Sequence, residues 1–185
     1  MRVIGGSAGG RRLKNPPAGV RPTSDLVRGA VFDTLDAQGV DFSRVLDLYA
    51  GSGALGIEAL SRGAGWCDFV ERVPANAAII RENLRLTGLA ERGRVWRLPV
   101  ERAAERLEGP YSLVLADPPY NDDTSLRAIE QLARTPLIGA GATLVLEHSH
   151  RREAPETIGP LHLVWSRRYG DTHVSIYRGV SAAGS

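Results

Sequence analysis

The sequence predicts an α/β domain on a largely parallel seven-stranded sheet, with a C-terminal antiparallel hairpin and a small basic extension at the N-terminus. Three observations carry this expectation. Short apolar runs alternate with helical patterns at intervals of roughly 20–25 residues, which is βαβ organisation. The glycine-rich run Gly51-Ser-Gly53-Ala-Leu-Gly56 follows the first apolar run and opens a helix. Tyr169-Gly170-Asp171 separates two final alternating segments, as in a hairpin.

The elements follow in order. Residues 1–22 are rich in glycine and arginine and are punctuated by Pro16-Pro17 and Arg21-Pro22, so they read as an arm, loop or short hairpin. Leu26, Val27, Ala30, Val31, Thr34 and Leu35 recur at helical spacing after a Thr23-Ser24 cap, predicting a helix over 24–37. Arg44–Ala50 reads as a buried strand and Ala54–Arg62 as a helix ended by Gly63. Trp66–Val70 is the next strand, and Pro74 opens a helix whose apolar face carries Ala77, Ile80 and Leu84. Strands are expected at Arg94–Leu98, Ser112–Ala116 and Ala142–Glu147, with helices near 101–108 and at Ser125–Arg134. The last two strands span Leu161–Arg168 and Thr172–Arg178.

Composition narrows the function classes. A chain of 185 residues with 43% hydrophobic content supports one core. The single cysteine, Cys67, excludes an intramolecular disulfide framework and a cysteine-cluster metal site, and no metal is expected. No apolar run reaches the ~18–20 residues of a membrane span, and the N-terminus is not signal-like, so a cytoplasmic monomer is the expectation. The net charge of +2 is unevenly spread. Residues 1–28 carry six basic groups (Arg2, Arg11, Arg12, Lys14, Arg21 and Arg28) against Asp25 alone, a net +5 that leaves −3 for the remainder. A basic segment on a mildly acidic domain suits a polyanionic partner such as nucleic acid.

Two motifs fall where strands of a parallel sheet end, the edge at which such sheets bind ligands. The first is Asp47-Leu-Tyr49-Ala-Gly51-Ser-Gly53-Ala-Leu-Gly56, with Glu71 ending the next strand 20 residues after Gly51. Gly51 and Gly53 permit a tight turn and close ligand approach, and Gly56 permits helix–strand packing. Glu71 can accept hydrogen bonds from a ribose diol. This pattern fits either a nicotinamide dinucleotide or S-adenosyl-L-methionine. Asp47 favours the second, because a carboxylate there repels a pyrophosphate and suits a sulfonium and an ammonium group. The second motif is Asp117-Pro118-Pro119-Tyr120 after the fourth strand. Tandem prolines fix a rigid extended turn. Asp117 and the Pro118 carbonyl are two acceptors for an exocyclic amino group, and Tyr120 offers a face for stacking a base. Such a site orients a weakly basic nitrogen toward a methyl donor and requires no strong base.

With both motifs in place, the chain resembles the class I, Rossmann-like, S-adenosylmethionine-dependent methyltransferases. It resembles most closely the bacterial 16S ribosomal RNA guanine-N2 methyltransferases of the RsmD type. The likeness runs through Arg2–Gly6, Gly10–Leu13, Arg21-Pro-Thr-Ser-Asp-Leu-Val-Arg28, Asp47–Ala64, Phe69–Glu71, Asp117–Tyr120 and Tyr169–Asp171. The resemblance implies that Asp47, Tyr49, Gly51, Gly53, Glu71, Arg72, Val100 and Glu101 bind S-adenosyl-L-methionine. Asp47, Gly51 and Gly53 would line its methionine side, Glu71 would take its ribose, and Val100 and Glu101 would lie near its adenine. Val100 stands where the commoner pattern has a polar residue. The resemblance also implies that Asp117, Pro118 and Tyr120 hold the target base. Residues 1–40 would be an RNA-binding arm and helix, with contacts from Arg2, Arg11, Arg12, Lys14, Arg21 and Arg28, and residues 41–185 the catalytic domain. The expected reaction is methylation of the N2 amino group of the guanine conventionally numbered 966, in 16S rRNA of an assembled or assembling small subunit.

Three other readings compete. An adenine or cytosine amino-methyltransferase usually needs a separate recognition domain, for which 185 residues leave no room. An NAD-dependent oxidoreductase gives Asp117–Tyr120 no work. A non-catalytic ribosome assembly factor would bind RNA without cofactor. The remaining polar candidates have ordinary explanations: His148, His150, His162 and His173 lack metal-ligand spacing, and Trp66, Trp96, Trp165 and Cys67 read as strand packing.

Overall fold

The computed structural model describes residues 1–17, 23–119 and 122–180. Its elements are α1 (Asp25–Ala37), β1 (Arg44–Leu48), α2 (Ala54–Ser61), β2 (Trp66–Val70), α3 (Pro74–Thr87), β3 (Gly93–Trp96), α4 (Ala103–Arg106), β4 (Tyr111–Ala116), α5 (Asp123–Ala133), β5 (Ile138–Ser149), β6 (Thr157–Ile158), β7 (Leu161–Tyr169) and β8 (Thr172–Gly179). The strands form one sheet in the order β3-β2-β1-β4-β5-β8-β7-β6. The first five in that order pair in parallel, and β8, β7 and β6 are antiparallel. These are the seven expected strands plus the two-residue β6. The strand order reverses between β1 and β4, so the loops after these two strands diverge and leave a crevice between them.

The strands are apolar on both sides because both sheet faces are covered. Val45, Cys67, Phe69, Leu113 and Leu115 face a core shared with Val31, Phe32, Leu35, Ile57, Leu60 and Ile80 of the flanking helices. Leu46, Leu48, Val114, Leu144 and Leu146 face the opposite core with Ala128, Ile129 and Leu132 of α5. Alternation along each strand therefore sorts side chains between two cores rather than between core and water. α1 begins where the cap residues predict: the Ser24 hydroxyl accepts from the Val27 N–H at 3.2 Å.

The N-terminal segment lies on the domain. Arg2 pairs with Arg12 across a short antiparallel bridge, and Val3, Ala8 and Leu13 are buried in the core of α1 and α2. Its attachment is a buried carboxylate. Glu58, wholly buried in α2, accepts from the N–H groups of Ile4 and Gly5 at 2.9 Å each. Ser61 accepts from the Ala8 N–H, also at 2.9 Å. The same Glu58 pairs with Arg62 at 2.9 Å and with Arg28 at 3.6 Å.

Arg28 is thereby corrected from an RNA contact to an interior residue. Its side chain has no exposure, and it pairs with Asp25 at 2.9 Å and donates to the Arg2 carbonyl. Placed one helical turn after the α1 cap, it points inward, and a buried guanidinium cannot reach a phosphate backbone. Arg2, Arg11, Arg12 and Lys14 are exposed, and Lys14 pairs with Glu82 at 3.5 Å. Arg21 lies outside the described residues.

Candidate active site

A cleft of about 730 Å³ opens at the C-terminal ends of β1, β2, β4 and β5. The loop after β1 forms its floor. Tyr49 has a positive φ of 54°, which for a non-glycine residue costs about 1–3 kcal/mol and turns the chain sharply out of the strand. That conformation ends β1 at Leu48, two residues before the expected boundary. The Tyr49 side chain lines the cleft, its hydroxyl donates to the Ser125 carbonyl at 3.4 Å, and burial pushes its pKa up to about 12. Gly51 also has a positive φ, of 57°, and a Cβ there would meet nothing within 4 Å. The backbone is thus open toward the cleft at that point, the cradle a ligand needs.

Glu71 holds this loop. Its Oε2 accepts from the Gly51 N–H at 2.8 Å and its Oε1 from the Val73 N–H at 2.9 Å. Two backbone donors leave roughly two of the four lone-pair sites of a carboxylate for a ligand in the cleft that Glu71 lines. Arg72, Val100 and Glu101 line the cleft as well, Val100 buried and the other two exposed.

Asp47 and Gly53 take other places. Neither is among the cleft-lining residues. Gly53 caps α2 in a left-handed conformation and has no side chain to satisfy the orphan N–H groups of the first turn. Asp47, buried beneath the loop, supplies the acceptor: its Oδ2 takes the Gly56 N–H at 3.0 Å. Burial, with Asp117 and Glu71 nearby, raises its pKa well above the ordinary carboxylate range. Asp47 thus has a capping role that shapes the loop, with its Oδ2 committed to the Gly56 N–H. Gly56 fulfils its packing expectation, since a Cβ there would fall 2.4 Å from the Phe69 ring and 2.7 Å from Cys67 Sγ.

Across the crevice, Asp117, Pro118 and Pro119 follow β4 and line the same cleft. Tyr120 lies outside the described residues. Asp117 is raised to about 6, because burial disfavours its charge more than hydrogen bonds from Glu147 and Thr23 favour it. Thr23 Oγ1 stands 3.3 Å from Asp117 Oδ2 and 2.7 Å from Glu147 Oε2.

Several further groups line the cleft. Glu147, buried at the cleft wall, is one. The signal for it was present: a carboxylate at the C-terminal end of an otherwise apolar strand, the place Asp117 takes after β4. Thr23 was read only as a helix cap. Asp122 caps α5 through the Thr124 N–H at 2.9 Å and accepts from Ser125 Oγ at 2.6 Å, and both residues line the cleft. Asn76 is buried against it, and the Tyr169–Thr172 hairpin tip overhangs it.

Chemically, the cleft gathers Glu71, Asp117 and Glu147 on its walls with Asp47 behind them, and it has one glycine cradle. No helix among the described residues is long and apolar enough to cross a membrane.

Comparison with known proteins agrees in fold and length. The family described as Conserved hypothetical protein 95 matches residues 1–178. YlbH of Bacillus subtilis (strain 168), named only as a candidate rRNA methyltransferase, is 37% identical over 182 residues, which is 96% of this chain and 98% of that protein. Ribosomal RNA small subunit methyltransferase D of Escherichia coli (strain K12) is 39% identical over 121 residues, 65% of this chain and 60% of that protein. The solved structure of yhhF from Escherichia coli matches with a TM-score of 0.85 and 30% identity, over 98% of each chain.

Proposed function

This chain belongs to the Conserved hypothetical protein 95 family. From that membership and the geometry of its cleft, we propose that it methylates the N2 amino group of a guanine in 16S rRNA of the small ribosomal subunit, with S-adenosyl-L-methionine as cofactor. The finer assignment is the guanine conventionally numbered 966, presented by an assembled or assembling subunit. The observation that carries the reading is one cleft with two walls: the Gly51 loop held by Glu71 on one side, and the Asp117-Pro118-Pro119 turn on the other. The similarity to ribosomal RNA small subunit methyltransferase D supports the substrate class.

The residues present fit the cofactor. The open backbone at Gly51 admits its amino-acid end, the spare lone pairs of Glu71 take a ribose diol, and Val100 packs on an adenine face. Arg72, Glu101 and Tyr49 complete the lining, and the acid-rich walls suit a sulfonium cation. When bound, S-adenosyl-L-methionine supplies an electrophilic methyl group. The protein's own work is orientation. Asp117 and the Pro118 carbonyl accept the two N–H bonds of the target amine and turn its lone pair toward the donor side. The rigid diproline keeps those acceptors in place. Asp117 must be ionised to accept, so turnover requires a pH above about 6. The target base reaches this cleft from a loop or by flipping out of its stack. Exposed Arg2, Arg11, Arg12 and Lys14 grip the RNA backbone.

The test is incubation with methyl-tritiated cofactor and small subunits that lack the modification, followed by nucleoside analysis. N2-methylguanosine is the expected labelled product. A different labelled nucleoside, or none despite cofactor binding, overturns the reading.

A further inference from the structure

The parallel register of β4 and β5 pairs Ala116 with Leu146, so the next residue on each strand brings Asp117 and Glu147 side by side at the strand ends. Thirty positions separate them in the chain. Glu147 is buried and Asp117 half-buried, and the Thr23 hydroxyl lies 3.3 Å from Asp117 Oδ2 and 2.7 Å from Glu147 Oε2. Two carboxylates without a proton cannot hydrogen-bond, because neither donates. The single hydrogen of Thr23 serves only one of its two contacts, and the shorter one, 2.7 Å, is to Glu147. Glu147 Oε1 is buried and accepts from no donor in the described structure. A buried ionised oxygen left this way is costly, whereas a protonated carboxyl beside a carboxylate satisfies both partners.

We infer that Glu147 is a positioning residue for methyl transfer: it carries a proton, donates it in a hydrogen bond to Asp117, and so holds Asp117 as the ionised acceptor for the target amine. This rests on the function proposed above. The surroundings agree. Burial and the neighbouring Asp117 charge raise Glu147 well above the ordinary range, and these outweigh Thr23 and the guanidinium of Arg28 on α1, which favour the charged form. On β8 the residue opposite Glu147 is the uncharged Val174. The partition of labour is physical. Asp117 faces the cleft and can meet a ligand. Glu147 is almost fully enclosed, at 2% exposure, and acts through its neighbour.

The test compares Glu147→Leu with Glu147→Gln, an amide that still donates but cannot titrate. Cofactor affinity, measured by calorimetry, confirms that each variant is folded. Glu147→Leu is expected to lower kcat by roughly ten- to hundredfold, the size of a lost hydrogen bond to a charged acceptor, with little change in KM. Glu147→Gln is expected to recover most of that loss. The pH profile is decisive. Wild-type activity rises through about 6 as Asp117 ionises, then falls at higher pH as Glu147 loses its proton. Glu147→Gln should keep the rise and lose the fall. The infrared difference spectrum of the RNA-free protein, wild type minus Glu147→Gln, should show the carbonyl stretch of one protonated carboxyl at neutral pH, because any signal from buried Asp47 is common to both proteins. A Glu147→Gln enzyme as slow as Glu147→Leu, an unchanged alkaline fall, or identical infrared spectra each overturn the inference. A protein with the infrared band but no N2-methylguanosine product overturns the proposed function and leaves the carboxyl pair standing.

Discussion

Changing Arg28 to alanine separates a structural arginine from an RNA-binding one. The Arg28 side chain has no exposure, pairs with Asp25 at 2.9 Å and with Glu58 at 3.6 Å, and donates to the Arg2 carbonyl. Breaking a buried pair by removing one partner typically costs ~3–5 kcal/mol. The lower end applies here because Glu58 is not stranded: it keeps Arg62 at 2.9 Å and the N–H groups of Ile4 and Gly5. A loss of ~3 kcal/mol in a domain of this size lowers Tm by roughly 6–12 °C. In urea, the midpoint should fall with an unchanged slope, which marks a stability effect. RNA affinity, measured on the folded variant at several salt concentrations, should keep the wild-type salt slope, because no phosphate contact is lost. The reasoning is refuted if Arg28→Ala has wild-type stability, or if its salt slope falls by about 0.7–0.9, the signature of one lost phosphate contact.

Further expectations follow from the same geometry. Replacing Arg2, Arg11, Arg12 and Lys14 together by alanine should leave the urea midpoint nearly unchanged and flatten the salt dependence of RNA binding by up to about 3 in slope, read by filter binding. Asp117→Ala should abolish turnover while calorimetric cofactor affinity changes little, since Asp117 belongs to the amine wall of the cleft. Gly56→Ala should destabilise the domain by about 1–3 kcal/mol in urea, because its Cβ would sit 2.4 Å from the Phe69 ring. Asp117→Asn should raise stability at pH 8. The carboxyl of Asp117 is raised from 3.8 to about 6 by burial, so the fold binds the extra proton and loses stability as pH rises through that window. Urea midpoints of variant and wild type should therefore converge below about pH 4.

The strand–helix alternation, the glycine loop, the diproline turn and the closing hairpin were all legible in the sequence. Each is encoded by neighbours within a few residues: apolar runs of strand length, glycines where the loop must turn or pack closely, and a Pro-Pro pair that only an extended turn accommodates. Helix starts at Ser24 and Pro74 were readable for the same reason. Misplaced boundaries have local causes too. The conformation of Tyr49 ends β1 early, and sheet pairing extends β5 to Ile138–Ser149, well beyond its apolar centre.

Roles that depend on what lies across the fold were not legible. Arg28 and Arg12 are the same residue type in the same basic stretch, yet one pairs with Glu58 in the interior and the other faces solvent. Asp47 carries the right charge for a cationic ligand, but the missing cap at Gly53 draws it to the Gly56 N–H. Glu147 became part of the site only because β4 and β5 pair in the register that sets it beside Asp117. The sequence by itself thus determined the sheet, the position of the cleft and the two motifs that face it, because short-range sterics and periodicity decide those. Tertiary structure alone decided which charged groups are buried, which share a proton and which reach solvent, because the cost of a charge depends on the dielectric and the partners supplied by residues far away in the chain.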